Sequence, residues 1–181
     1  EVISKVLYPA DDHIEGKILR LKQQYLLVSA SLQSIVHNHI KRYGTLDNLS
    51  DKVAIHINDT HPALCVPELM RILMDQYGYG WDDAWNITQK TLTYTNHTVM
   101  SEALERWNET MFKSLLPRIY QVTSEINRRL VNDLNSVYGG DQAKIEYMSV
   151  ISRGEIHMAN LCLCACKKVN GVSALHSRIL T

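Results

Sequence analysis

Two short strand-like runs, each followed by helix-patterned sequence, constrain this chain more than any other feature. "VAIHIN" (53–58) is apolar and β-branched, and "TLTYT" (91–95) has the same character. Strands that alternate with helices pair in parallel, which argues for an α/β fold. The near-continuous apolar character of 53–58 suits a strand buried on both faces.

The rest of the chain is mostly helical in pattern. From Lys17 to Arg42, the residues Ile18, Leu21, Tyr25, Val28 or Ser29, Leu32, Ile35 and His39 or Ile40 keep a three-four spacing, and Gly44 is a stop signal. "TLDNLSDK" reads as a polar connector. A helix is expected over Val66–Tyr77 with Pro67 in its first turn, where a missing N–H costs little. Gly78 and Gly80 turn the chain, and helix restarts with Asp82 and Asp83 near its positive end. "SEALERW" reads as a short helix capped by Ser101, and Pro117 starts a long one reaching Ser136. "YGGD" breaks it, and a short helix follows at Ala143–Met148. The last stretch suggests a helical start, a cysteine-rich strand in "CLCAC", an Asn-Gly turn in "VNGV" and a final helix reaching Thr181. The expected architecture is therefore mostly helical with a small, mainly parallel sheet. That sheet is too small to stand alone, and Glu1 opens the chain where a methionine would start one, so a partial piece of a larger domain is expected.

Composition narrows the function classes. Of 181 residues, 45% are apolar, enough for a core, and Lys+Arg equals Asp+Glu at 19 each. Zero net charge gives no basic footprint for nucleic acid and no polybasic membrane patch. No apolar run approaches the roughly 18 residues of a membrane span. The four cysteines, Cys65, Cys162, Cys164 and Cys166, have no C-x-x-C spacing and read as small buried residues of a reduced protein. The five N-x-S/T matches, at Asn48, Asn58, Asn86, Asn96 and Asn108, would mark glycans in a secreted protein and accidents in a cytosolic one. The cysteine reading favours the second, and a cytoplasmic location.

"NDTHP" (58–62) sits where open α/β sheets place ligand sites, at the C-terminal end of a parallel strand. Asp59 and His61 would both lie there; equally, Asn, Asp and Thr are ordinary turn and N-cap residues. "YTNHT" (94–98) repeats the arrangement with His97. A lone histidine after a strand is more often structural, but two strands that both end in Asn plus His are less easily dismissed. If adjacent, they would bring Asp59, His61 and His97 to one edge. "YPADDHIEGK" is an acidic loop that reads as a gate or as a solvated turn, and "WDDAW" holds Trp81 and Trp85, core residues or a stacking platform. No GxSxG, P-loop, HExxH or GxGxxG motif occurs.

Long segments carry a family resemblance. "NDTHPALCVPELMRILMD", "YTNHTVMSEALERW", "HMANLCLCACKKVNGV" and "ISKVLYPADDHIEGKILRLKQQY" resemble the α-glucan phosphorylases (glycogen, starch and maltodextrin phosphorylases), in the family's order and across essentially the whole chain. The resemblance implies an interior piece, residues 1–181, from the later part of a Rossmann-like N-terminal glycosyltransferase domain, with 1–16 as a gate-like loop and 17–181 as the α/β segment. It implies retaining phosphorolysis of an α-1,4-glucan by inorganic phosphate, giving glucose 1-phosphate, in a homodimeric parent. Pyridoxal phosphate would be the parent's cofactor, its lysine outside this chain.

By the same resemblance His97 would be catalytic. Its side chain would bond the sugar's primary hydroxyl, and its carbonyl would face the reacting centre. Asp59 would lie in the adjoining pocket beneath the anomeric carbon with His61 beside it, Val169 would line the sugar pocket, and Asp12 would belong to the gate. "YPADD" stands where the family usually reads "YPNDN", so Asp12 replaces the gate's asparagine and puts loop-mediated inhibition in doubt. The isolated chain is expected to be inactive and to expose apolar surface. Two rivals remain: a free-standing, non-catalytic carbohydrate-binding or structural module, and a complete small enzyme built on an Asp-His pair.

Overall fold

A computed structural model describes residues 3, 5, 6, 9, 13–98 and 104–172. The long first helix forms as its spacing dictates, α1 at Ile14–Tyr43, and ends at Gly44, whose left-handed φ of 73° lets its N–H reach the Ile40 carbonyl at 2.8 Å. Its buried stripe runs through Leu21, Val28, Leu32, Val36 and His39. Val36 replaces the expected Ile35 because successive steps of four keep the stripe facing the core. His39 is a satisfied core histidine, its Nε2 lying 2.8 Å from Asn48 Oδ1.

The expected connector holds a one-turn helix, α2 (Leu49–Lys52), before strand β1 (Ile55–Asn58). Helix α3 (Cys65–Arg71) widens into a π-turn at Ile72–Gln76, and α4 (Trp81–Thr91) runs directly into β2 (Leu92–Asn96). Next come β3 (Arg106–Asn108), α5 (Glu109–Leu115), α6 (Pro117–Tyr138) and α7 (Gln142–Met148). The described chain closes with β4 (Ile151–Ser152), β5 (Glu155–His157), α8 (Met158–Ala165) and β6 (Val169–Gly171). Asn108 caps α5 by accepting from the Met111 N–H at 2.9 Å, and Asp141 caps α7 through the Lys144 N–H at 3.0 Å.

The α/β expectation holds. Strands β1, β2 and β6 form a parallel sheet in that order, with Asn58 opposite Thr95 and Thr95 opposite Asn170. A second, antiparallel sheet of order β3-β5-β4 was not foreseen. Its β4–β5 hairpin turns on Arg153 (φ 51°) and Gly154 (φ 75°), the double positive φ of a two-residue hairpin loop.

Four local expectations change. "CLCAC" is helical, because Met158, Leu161, Cys162 and Ala165 make a buried three-four stripe that outweighs the period-two cysteines. Asn170 and Gly171 do not make a turn; they extend β6 along β2. Arg106 and Trp107, expected at the end of a helix, are strand residues paired with His157 and Ile156. Strand β1 is buried on one face only: Ile57 is fully buried while His56 and Asn58 are exposed. Ser101, Asp12, half of the 1–16 loop and the expected terminal helix lie outside the described residues.

Helices α1 and α8 both pack on α3, and the core gathers Ile57, Leu92 and Tyr94 with Leu64, Leu69 and Phe112. Trp81 and Trp85 pack against this core, and the Arg129 guanidinium lies 4.9 Å from the Trp81 ring centre. Buried among them is one carboxylate, Glu68 on α3, with no exposed surface. Arg71 grips it with two bonds of 2.8 and 2.9 Å, Ser29 donates at 2.7 Å and Tyr25 at 3.1 Å. Two of those donors sit on α1, so the charge ties α1 to α3.

Glu68→Ala should lower the unfolding free energy by about 3 kcal/mol in chemical denaturation, because it strands Arg71 and two hydroxyls. Burial pushes the Cys65, Cys164 and Cys166 thiols up to about 12, and Cys162 well above its usual value. At pH 8 they are therefore protonated and poor nucleophiles. An aromatic disulfide reagent should titrate the four thiols slowly in the native protein and rapidly after denaturation.

Candidate functional site

Strand β1 stops because Asp59 takes a left-handed φ of 64°, rare for a residue with a Cβ. Its N–H still bonds the Thr95 carbonyl at 2.9 Å, so the parallel ladder runs one residue past the strand. Its side chain then redirects the chain: Oδ1 accepts from the Thr60 N–H at 2.7 Å. Thr60 is buried, whereas the His61 side chain is 46% exposed. Strand β2 ends by a related device. Asn96 is buried, and its Oδ1 accepts from the Thr98 N–H at 2.8 Å, which turns His97 outward.

The two strand ends touch. Nε2 of His97 lies 2.6 Å from Oδ1 of Asn58. Behind them, on the open face of the sheet, a polar rack crosses all three strands. His56 lies 2.8 Å by Nδ1 from Thr93 Oγ1 and 2.9 Å by Nε2 from Thr95 Oγ1, and Thr95 in turn donates to Asn170 Oδ1 at 2.7 Å. The threonine has one proton and gives it to the amide, so His56 Nε2 donates.

Beside this edge a cleft of about 550 Å³ is lined by Lys17, Arg20, Asp59, Thr60, His61, Thr98, Glu105, Arg106 and Trp107. One of these, Glu105, has a side chain only 11% exposed. Its Oε1 accepts from Gln24 Nε2 at 2.8 Å, with Arg20 Nη2 at 3.7 Å and His61 Nδ1 at 3.9 Å. Two buried polar atoms of cleft-lining residues, Glu105 Oε2 and Trp107 Nε1, have no hydrogen-bond partner among the described residues. One is an acceptor and one a donor. Cations from Lys17, Arg20 and Arg106 surround the two carboxylates, so the walls are polar and of mixed sign.

The structure thus brings Asp59 and His61 into one cleft and sets His97 at the adjoining strand end. Val169 is not among the cleft-lining residues. It opens β6 opposite Tyr94, two residues before the sheet's edge, and is 37% exposed. Asp12 lies outside the described residues. Lys17, Arg20, Glu105, Arg106 and Trp107 were not singled out as site residues from sequence. They reach the cleft from α1 and from the segment entering β3, far from "NDTHP" along the chain, and the sequence pattern showed only helix at both places. Among the described residues no cluster of His, Cys, Asp or Glu has metal-holding geometry, and no helix is long and apolar enough to cross a membrane.

Comparison with known proteins adds an independent observation. Residues 1–181 match the carbohydrate phosphorylase family. The chain is 54% identical over 180 residues to the glycogen phosphorylase of Bacillus subtilis, covering 99% of this chain and 23% of that protein. It is 48% identical over 191 aligned positions to the muscle form from Ovis aries and likewise to the human brain form, with the same coverage. The chain therefore spans about 23% of the length of the curated relatives it matches.

The strained turn makes a stability prediction. Asp59→Ala keeps the left-handed backbone and loses the bond to Thr60, so it should cost about 1–2 kcal/mol. Asp59→Gly loses the same bond but relieves the strain, and should be about 1 kcal/mol more stable than the alanine variant in denaturant unfolding.

Proposed function

Because this chain belongs to the carbohydrate phosphorylase family, of which glycogen phosphorylases are members, we propose that it forms one wall of the catalytic cleft of a longer α-glucan phosphorylase. The parent reaction is retaining phosphorolysis of an α-1,4-glucan, which releases glucose 1-phosphate. The observation that carries the reading is the convergence of Asp59 and His61 in one polar cleft, with His97 held at the adjoining strand end.

In this reading residues 1–181 belong to the parent's N-terminal domain, with 1–16 as its gate. His97 is the catalytic residue: its side chain binds the primary hydroxyl of the reacting glucosyl unit, and its carbonyl oxygen faces the anomeric centre. As the glycosidic bond breaks, positive charge develops at that carbon. A placed carbonyl dipole stabilises such charge without reorganising at the moment of reaction. Asp59, with one oxygen engaged by its own turn, offers the other to sugar hydroxyls or to water beneath the ring. His61 and Glu105 shape the same pocket, Val169 lines the sugar-binding side, and Asp12 belongs to the gate.

Pyridoxal phosphate, the family's cofactor, supplies a phosphate group for proton transfer when bound. Its seat does not fit the described residues. An aldehyde cofactor needs a desolvated lysine, and Lys17, the lysine that lines the cleft, is exposed. In this reading the cofactor's lysine belongs to the rest of the parent. The parent is assigned to the cytoplasm, as a homodimer.

In the full-length enzyme, His97→Ala should lower kcat for glucan phosphorolysis by about 10²–10³, since one wall of the transition-state site is lost. Initial rates of glucose 1-phosphate release test this. Turnover near wild type would refute the assignment of His97.

A further inference from the structure

We infer that Asn58 sets the proton position on His97 and thereby makes Nδ1 of that imidazole a hydrogen-bond acceptor, selective for a hydroxyl donor on the ligand. The inference deepens the reading of His97 as a sugar-binding residue and rests on it.

The argument starts from one contact. Oδ1 of Asn58 is 2.6 Å from Nε2 of His97. A carboxamide oxygen has lone pairs and no proton, so the imidazole nitrogen is the donor. A neutral imidazole carries one N–H, and placing it on Nε2 leaves Nδ1 with a lone pair. Turning the amide over would present an NH₂ group and reverse the tautomer. The other two strand-end asparagines use their oxygens in the same sense: Asn96 Oδ1 accepts from Thr98 N and Asn170 Oδ1 from Thr95 Oγ1.

Position makes the contact consequential. Asn58 is the last residue of β1, on the open face, and register places it opposite Thr95, two residues before His97. The rack of His56, Thr93, Thr95 and Asn170 immobilises the row behind it. The amide is therefore presented by a rigid strand rather than by a loop. The titratable groups on the surrounding elements are His56 on β1, Asp59 directly after that strand, and Tyr94, whose ring points into the opposite, buried face of β2; β6 contributes none.

An Nδ1 acceptor bonds a sugar hydroxyl that donates, and gains nothing from a group that only accepts. An imidazolium would carry a proton on Nδ1 and lose this selectivity. Asn58 is therefore a positioning residue, acting on the ligand through His97.

The test uses the full-length enzyme, with kcat and KM measured for glucan and for phosphate between pH 6 and pH 8.5. Asn58→Leu removes the acceptor and should lower kcat/KM for glucan about tenfold, with KM for phosphate and the melting temperature unchanged. Asn58→Asp keeps an acceptor but adds a charge that favours the imidazolium. Its rate relative to wild type should fall as pH drops and recover towards pH 8.5. Wild-type kinetics in Asn58→Leu, or a pH-independent ratio in Asn58→Asp, would overturn the inference. A wild-type enzyme without phosphorolysis would instead refute the functional reading beneath it.

Discussion

The parallel pairing of β1 with β2 is the constraint on which the rest depends. Its register sets Ile55 against Leu92 and Asn58 against Thr95, so the two strands end together. Side chains alternate across a sheet, and a slip of one residue would exchange the faces. His56 and Asn58 would then enter the core, and Ile57 would leave it. Burial of Ile57, Leu92 and Tyr94 makes that exchange unfavourable, so apolar packing on one face fixes the polar geometry of the other.

The same elements hold both sides of the cleft. The loop carrying Asp59 and His61 leads directly into α3, and α3 is pinned by Glu68 to Tyr25 and Ser29 of α1. Helix α1 also supplies Lys17 and Arg20 to the cleft. A buried charge with four donor contacts thus fixes the spacing between a strand-end loop and the helix facing it. Such a network specifies one arrangement because any partial version leaves a desolvated charge. Stiff supports of this kind let the Asp59 turn sustain a left-handed backbone.

Long periodic elements were legible in sequence. Helices α1 and α6 announce themselves by spacing and by Gly44 and Pro117, and the two strands by β-branched residues. Short elements were not. "CLCAC" offers period two through its cysteines and a three-four stripe through its neighbours, and only packing of α8 against α3 and β2 decides between them. Strands β3, β4 and β5 have three residues or fewer, so local pattern says little, and β3 pairs with β5, far along the chain. The open face of β1 was misjudged for a related reason: burial on a second face depends on whether another layer covers it.

For the candidate site, sequence alone determined which groups stand at strand ends. Asp59, His61 and His97 follow strand-like runs, and any parallel pairing of those runs would gather them at one edge. The family resemblance assigned them roles. Only the tertiary structure decided that Asn58 meets His97, that His56 locks the row behind, and that Glu105, Arg20 and Lys17 complete a cleft around Asp59. The physical reason is range. Strand and helix patterns are local, set by backbone geometry within a few residues, whereas a side chain's hydrogen-bond partner depends on register and packing between segments that the local pattern does not connect.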